Sequence, residues 1–189
     1  MENSTYSRVL DAAETMVKRN GFNAFSYRDL SGAVGIKTSS IHYYFPSKDD
    51  LGVALVRRFE AMIKGALEEI EAANSDPRER LRQYFALFEA NTPEEADQAC
   101  ICGMLASDYY TLALEVKTEV RKLFQTNEGW LAKVLQAGRE AGTFRFEGAA
   151  EALASSMFSA LQGAILAGRM FSEEKRVSQT LEVWLGALS

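Results

Sequence analysis

Residues 37–48 gather the side chains of this sequence best suited to engaging a polyanion. Lys37, Thr38, Ser39, Ser40, His42, Tyr43 and Lys48 combine cations, small hydroxyls and hydrogen-bonding aromatics in one short stretch. Small hydroxyls at a helix start allow close approach to a duplex, and longer polar side chains reach base edges or phosphates in a major groove. Lys48, just past that helix, is placed to take a phosphate. A second chemical feature is the pair Cys100 and Cys102. One intervening residue is too short a separation for an ordinary structural disulfide. A Cys/His zinc set is not expected either, because the single histidine, His42, lies in the polyanion-facing stretch. Thiolate reactivity needs positive surroundings, whereas Glu94, Glu95 and Asp97 flank the pair with acid, so the favoured reading is two buried small hydrophobes. No Ser/His/Asp or Cys/His arrangement and no Gly-rich phosphate loop is visible, so neither an enzyme nor a cofactor is expected.

Positioning these side chains falls to helices. The three prolines, at 46, 77 and 93, all sit where a helix can begin. Tyr6, Val9, Leu10, Ala13, Met16 and Val17 recur at helical spacing and predict a first helix over residues 4–20, stopped at Asn20-Gly21. Ser26 with Asp29 caps a short helix carrying Leu30, Ala33 and Val34, ended by Gly35. Thr38 to Phe45 form a third, with Ile41, Tyr44 and Phe45 turned inward. Two short helices about a glycine-containing turn are the helix-turn-helix pattern. A Ser47/Asp50 cap then opens a long connector helix over 49–74 through Leu51, Leu55, Phe59, Met62, Ala66 and Ile70. Asp76-Pro77 and Thr92-Pro93 each supply an N-cap with proline at the first helical position. Three further helices follow, through Val116 to Leu135, Ala149 to Met170 and Val177 to Leu188. The expected fold is all-α with about nine helices: a three-helix helix-turn-helix domain over 1–48, then a helical domain over 49–189.

The 189 residues carry 47% hydrophobic and 25% charged side chains, which excludes a disordered chain. A net charge of −5 argues, taken whole, against a general nucleic-acid binder. Divided at Lys48 it reads differently. Residues 1–48 hold six Lys/Arg against four Asp/Glu, net +2, leaving −5 − 2 = −7 for the remainder. Phosphate contacts therefore belong to the first segment. The sequence start lacks the basic and apolar run of a secretory signal, and Ala152 to Gly168, the longest uncharged stretch, contains three serines and a glutamine, making it a poor bilayer span. A cytoplasmic protein without a membrane partner is expected.

Gly21-Phe22, Tyr27-Arg28-Asp29-Leu30, Val34-Gly35-Ile36 and Ile41-His42-Tyr43-Tyr44-Phe45-Pro46-Ser47-Lys48-Asp49-Asp50-Leu51 together resemble the N-terminal domain of the tetracycline-repressor (TetR/AcrR) regulators. The resemblance covers about the first 55 residues. It implies one half of a homodimer on a palindromic double-stranded operator, with Tyr27, Arg28, Lys37, Thr38, Ser39, Ser40, His42, Tyr43 and Lys48 facing the DNA. It also implies that 49–189 is a ligand-binding and dimerisation domain, in which a small, largely apolar effector triggers release. Where many members carry a glycine early in the recognition helix this chain has Lys37-Thr38-Ser39-Ser40, so base preference does not transfer.

For the second half, Phe88, Cys102, Met104, Tyr109, Phe124, Trp130, Met157, Phe158 and Gln162 are the candidate effector contacts, aromatic and Met side chains with a few polar groups. Ala160, Ala164 and Gly168 repeat every four residues, and Leu181, Trp184, Leu185 and Leu188 add bulk on the last helix. Because the family pairs its subunits through the last two helices, these residues are assigned to the dimer interface. A sensor of oxidants or electrophiles using Cys100 and Cys102 is the alternative reading. A hydrophobic-ligand carrier or an all-α enzyme is a remote one.

Overall fold

The computed structural model describes residues 4–89 and 98–188. Among them are nine α-helices and two short 3-10 turns, without a strand: α1 (Thr5–Asn20), α2 (Tyr27–Val34), α3 (Thr38–Tyr44), α4 (Lys48–Ala73), α5 (Pro77–Ala86), α6 (Ile101–Ser107), α7 (Leu114–Glu140), α8 (Ala150–Phe171) and α9 (Arg176–Ala187). The all-α expectation holds. Local chemistry sets most boundaries. Ser4 caps α1 by accepting from the Ser7 amide at 3.3 Å, and Ser47 with Asp50 form a reciprocal box at the start of α4 at 2.9 and 3.1 Å. Asp76 accepts from the Arg78 amide at 2.9 Å, with Pro77 opening α5. The cap expected at Thr92-Pro93, and the acidic flank of the cysteines, lie outside the described residues.

The chain divides into two compact units, Met1–Ala61 with Ile101–Leu123, and Met62–Cys100 with Phe124–Ser189. The packing boundary is therefore not the sequence division after Lys48: the first unit takes in α6 and the start of α7. In that unit α1 buries Val9, Leu10, Ala13 and Val17 and packs on α2 and α6. Leu30, Ile41, Leu51 and Leu55 are fully buried beside them. In the second unit α8 packs on α9 and α9 on α5, around Leu81, Tyr84, Phe85, Leu131, Phe144 and Phe158.

Two expected core positions are corrected. Tyr44 is 38% exposed, while Phe45, beyond the helix end in extended backbone, fills the core and stacks on Tyr6 at 4.9 Å. Met62 is 55% exposed, because the buried stripe of α4 runs through Leu55, Phe59, Ile63, Leu67 and Ile70. The uncharged run of the sequence also understates α8. At 22 residues and a mean hydropathy of 1.2 it is long and apolar enough to cross a membrane, yet 33% of it is buried.

Candidate nucleic-acid interface

Ser26 and Asp29 form a reciprocal capping box at the start of α2: the Ser26 hydroxyl accepts from the Asp29 amide at 3.4 Å, and the Asp29 carboxylate accepts from the Ser26 amide at 2.7 Å. The Ser26 hydroxyl also donates to that carboxylate at 2.7 Å, and this bond first, then the one from the Ser26 amide, holds the Asp29 carboxyl below its ordinary range. The turn after α2 rests on Gly35, at φ 73° and ψ 35°, a left-handed conformation that a side chain disfavours. Ser31 accepts the Gly35 and Ile36 amides on its carbonyl at 3.0 and 3.2 Å, and its hydroxyl donates to the Ile36 carbonyl at 2.6 Å. With the turn fixed, Ile41 at 0% exposure anchors the inner face of α3. Opposite faces of a helix carry opposite roles.

Lys37, Ser39, His42 and Tyr43 stand exposed, Tyr43 at 81%, and Thr38 and Ser40 are half-buried beside them. Arg28 is exposed on α2. His42 Nδ1 lies 3.1 Å from the Pro46 carbonyl; since a carbonyl only accepts, that nitrogen donates. The histidine ring also meets the Tyr27 ring at 4.7 Å.

Tyr27 and Lys48 are turned inward instead. Tyr27 is 9% exposed, and its hydroxyl donates to the Phe45 carbonyl at 2.9 Å and also to that of Ser47. Burial, followed by the charges of Asp50 and Asp49, pushes its pKa up to about 12, so it remains a donor. The Lys48 ammonium donates to the Phe25 carbonyl and sits 4.3 and 4.9 Å from the Phe25 and Phe22 ring centroids. Burial is also what lowers its pKa, against the opposing pull of Asp108, Asp29 and Asp49. Both residues tie the end of α3 and the start of α4 to the rest of the unit.

The link from α1 to α2 is clamped from far along the chain, which local reading of the sequence could not find. Asp108 accepts the Phe22 amide at 2.7 Å, and Asn23 donates to the Thr111 hydroxyl at 2.7 Å. Gly21 sits at φ 92°, and a Cβ there would lie 3.1 Å from the Asp108 carboxylate. In the same unit a cleft of about 650 Å³ is lined by Asp49, Asp50, Glu115 and Glu119 with Arg57, an acidic surface that no phosphate would favour. Glu119, 5% exposed, accepts from Arg57 and Lys122 at 3.0 Å each. Chiefly the Arg57 hydrogen bond holds its carboxyl below the ordinary range.

The residues proposed for effector contact do not form one set. Cys102, Met104 and Tyr109 belong to the first unit; Phe88, Phe124, Trp130, Met157, Phe158 and Gln162 belong to the second. Cys100 and Cys102 are both buried and unbridged, at 9% and 0% exposure. The small-residue ridge faces the protomer's own interior: Ala164 is buried, and a Cβ on Gly168 would meet the Glu173 carbonyl at 3.1 Å. Leu181, Leu185 and Leu188 are core, Trp184 and Ala160 half-buried. The exposed stripe of α8 is Ala152, Ser156, Ser159, Gly163, Leu166 and Met170, at alternating spacings of four and three. That heptad signal was present in the sequence.

A three-helix head with a polar outer face on the helix after the turn, in a chain whose other described elements are all helical, defines a helix-turn-helix DNA-binding regulator. Residues 9–55 match "Bacterial regulatory proteins, tetR family", and residues 77–184 match "Tetracyclin repressor-like, C-terminal domain". A TetR-family regulator structure from Agrobacterium tumefaciens is 34% identical, covers 97% of each chain and superposes with a TM-score of 0.92. The transcriptional repressor KstR2 of Rhodococcus jostii is 29% identical over 74% of this chain and 67% of its own length. The transcriptional repressor DhaR of Mycobacterium sp. GP1 is 26% identical over 89% and 84%. The chain belongs to the TetR family of transcriptional regulators.

Proposed function

We propose that this chain is a cytoplasmic repressor that binds a palindromic operator as a homodimer and releases it when a small, largely apolar effector occupies the C-terminal helices. The observation that carries this reading is the outward polar face of α3, Lys37, Ser39, His42 and Tyr43, held by the buried Ile41 and the Gly35 turn. Residues 1–48 read the DNA, and 49–189 sense and pair. The repressor names of KstR2 and DhaR support the direction of control. An effector can only shift the equilibrium by its differential affinity for the two states, so it must favour a geometry in which the recognition helices are mis-spaced.

The pairing surface is the exposed α8 stripe, joined by Val183 of α9 at 74% exposure. Its small residues permit close helix approach, and its leucine and methionine supply apolar area. One substitution tests the reading. A Cβ added to Gly163 meets nothing within 4 Å, so Gly163→Arg is tolerated by the protomer but puts a charge into the seam. Sedimentation should find wild type dimeric and the variant monomeric at equal melting temperature. The variant should also lose its salt-sensitive binding to DNA from its own promoter region. A monomeric wild type, or a folded dimer indifferent to that DNA, refutes the proposal.

A further inference from the structure

Inside the second unit, two buried polar atoms of opposite hydrogen-bonding character have no partner: the Trp130 indole Nε1, a donor, and the Gln162 Oε1, an acceptor. Trp130 is 7% exposed, its ring stacked on Tyr84 at 5.2 Å. The Gln162 amide nitrogen is directed at the Cys100 sulfur, 3.9 Å away. Buried polar groups are rarely left unsatisfied, and each such group costs the free energy of a lost hydrogen bond.

The helices fix how far apart the two residues sit along the pair. Phe124 of α7 meets Phe158 of α8 at 5.1 Å, and Glu128 of α7 accepts from Ser155 of α8 at 3.0 Å. As numbering rises on α7 it falls on α8, so the two run antiparallel. Gln162 lies four residues beyond Phe158, and Trp130 six beyond Phe124, in opposite directions along the pair. At a rise of 1.5 Å per residue their backbones are offset by about 15 Å along the helix axes, with the two phenylalanines between, and the long side chains, each leaning toward its own helix N-terminus, shorten the gap between the polar atoms. The charge of a molecule spanning that distance is also constrained. Among the described residues the buried polar or charged side chains are Asn127 and Glu119, and Glu119 belongs to the other unit. No fully buried charged side chain of this unit among the described residues is there to pair an anionic or cationic end group, and the half-buried Glu128 is already engaged by Ser155, so a charged end would be costly.

We propose that the effector is a neutral, elongated, mainly apolar molecule with a carbonyl-type acceptor at one end, bound by the Trp130 indole N–H, and a hydroxyl donor at the other, bound by the Gln162 side-chain oxygen. This rests on the effector-responsive reading above and specifies its ligand. The probe is methyl ω-hydroxydodecanoate, which carries both groups on a flexible chain of suitable length. Its controls are methyl dodecanoate, lacking the donor, and ω-hydroxydodecanoic acid, which is anionic. With nitrogen-labelled tryptophan, the Trp130 indole proton, assigned by its absence in Trp130→Phe, should move downfield on saturation with the hydroxy ester while that of Trp184 stays. The hydroxy ester should bind about tenfold more tightly than either control, and Gln162→Leu should erase its advantage over methyl dodecanoate. Gln162→Leu should melt no lower than wild type without ligand, since it removes an unpaired buried acceptor. An unmoved Trp130 resonance, equal binding of the three probes, or a lowered melting temperature in ligand-free Gln162→Leu overturns the proposal. Promoter DNA in the same samples separates the two claims: ester binding without DNA release preserves this site but defeats the effector reading, and absence of DNA binding defeats the repressor reading alone.

Discussion

The first unit spends its polar groups on geometry, and the second leaves polar groups waiting. In the first, the Ser26–Asp29 box, the Ser31 bonds across the turn and the Asp108 clamp satisfy the backbone around the recognition helix. In the second, the Trp130 Nε1 and Gln162 Oε1 atoms are buried and unpaired. A surface that must match a duplex has to be rigid before it binds, whereas a site that responds to a small molecule gains its signal from what remains unmade until the molecule arrives.

The most forceful way to break this contrast is through the inner face of α3. Ile41→Ala empties a fully buried position and should cost about 2–5 kcal/mol, read by denaturant unfolding, with promoter binding lost in parallel. Tyr27→Phe removes one donor from two carbonyls and should cost about 1–3 kcal/mol. If Tyr27 acts by holding the α3–α4 turn, the slope of log affinity against log salt stays at its wild-type value; a changed slope would return the residue to the DNA surface. A sharper contrast comes from two lysines. Lys37→Ala should flatten the salt slope by about one, as expected for a lost phosphate contact, while Lys48→Met should leave the slope alone and lower the melting temperature. The smallest effect is on acid stability. The Glu119 carboxyl is held below the ordinary carboxylate range chiefly by the Arg57 hydrogen bond. Its stabilisation is complete above that range and is lost as pH falls through the lower folded pKa, so Glu119→Gln should flatten the acid limb of the melting curve.

Helix types and ends were legible in the sequence because caps, prolines and glycine stops are local: Ser26, Asp76 and Gly35 stand where expected. The outward polar face of α3 was legible for the same reason, as the opposite side of a helix anchored by Ile41. Distant contacts were not. Nothing near Tyr27 or Lys48 announces that the hydroxyl and the ammonium turn onto backbone carbonyls, and nothing near Phe22 points to Asp108. On α8, Ala160, Ala164 and Gly168 give a true small-residue ridge, but periodicity alone does not say which of two apolar faces meets the protomer's own α9. The structure turns that ridge inward and leaves outward the stripe through Ser159, Gly163 and Leu166.

The Asp108 carboxylate and the Phe22 amide are 86 residues apart in the chain. During synthesis, residues 4–61 emerge ahead of 101–123, yet the compact unit that holds both closes only once residues up to Leu123 have left the ribosome. A nascent chain therefore completes the packing around its helix-turn-helix only after the segment up to Leu123 has been translated. The same contact order means that residues 1–48 transplanted onto another protein would arrive without their clamp.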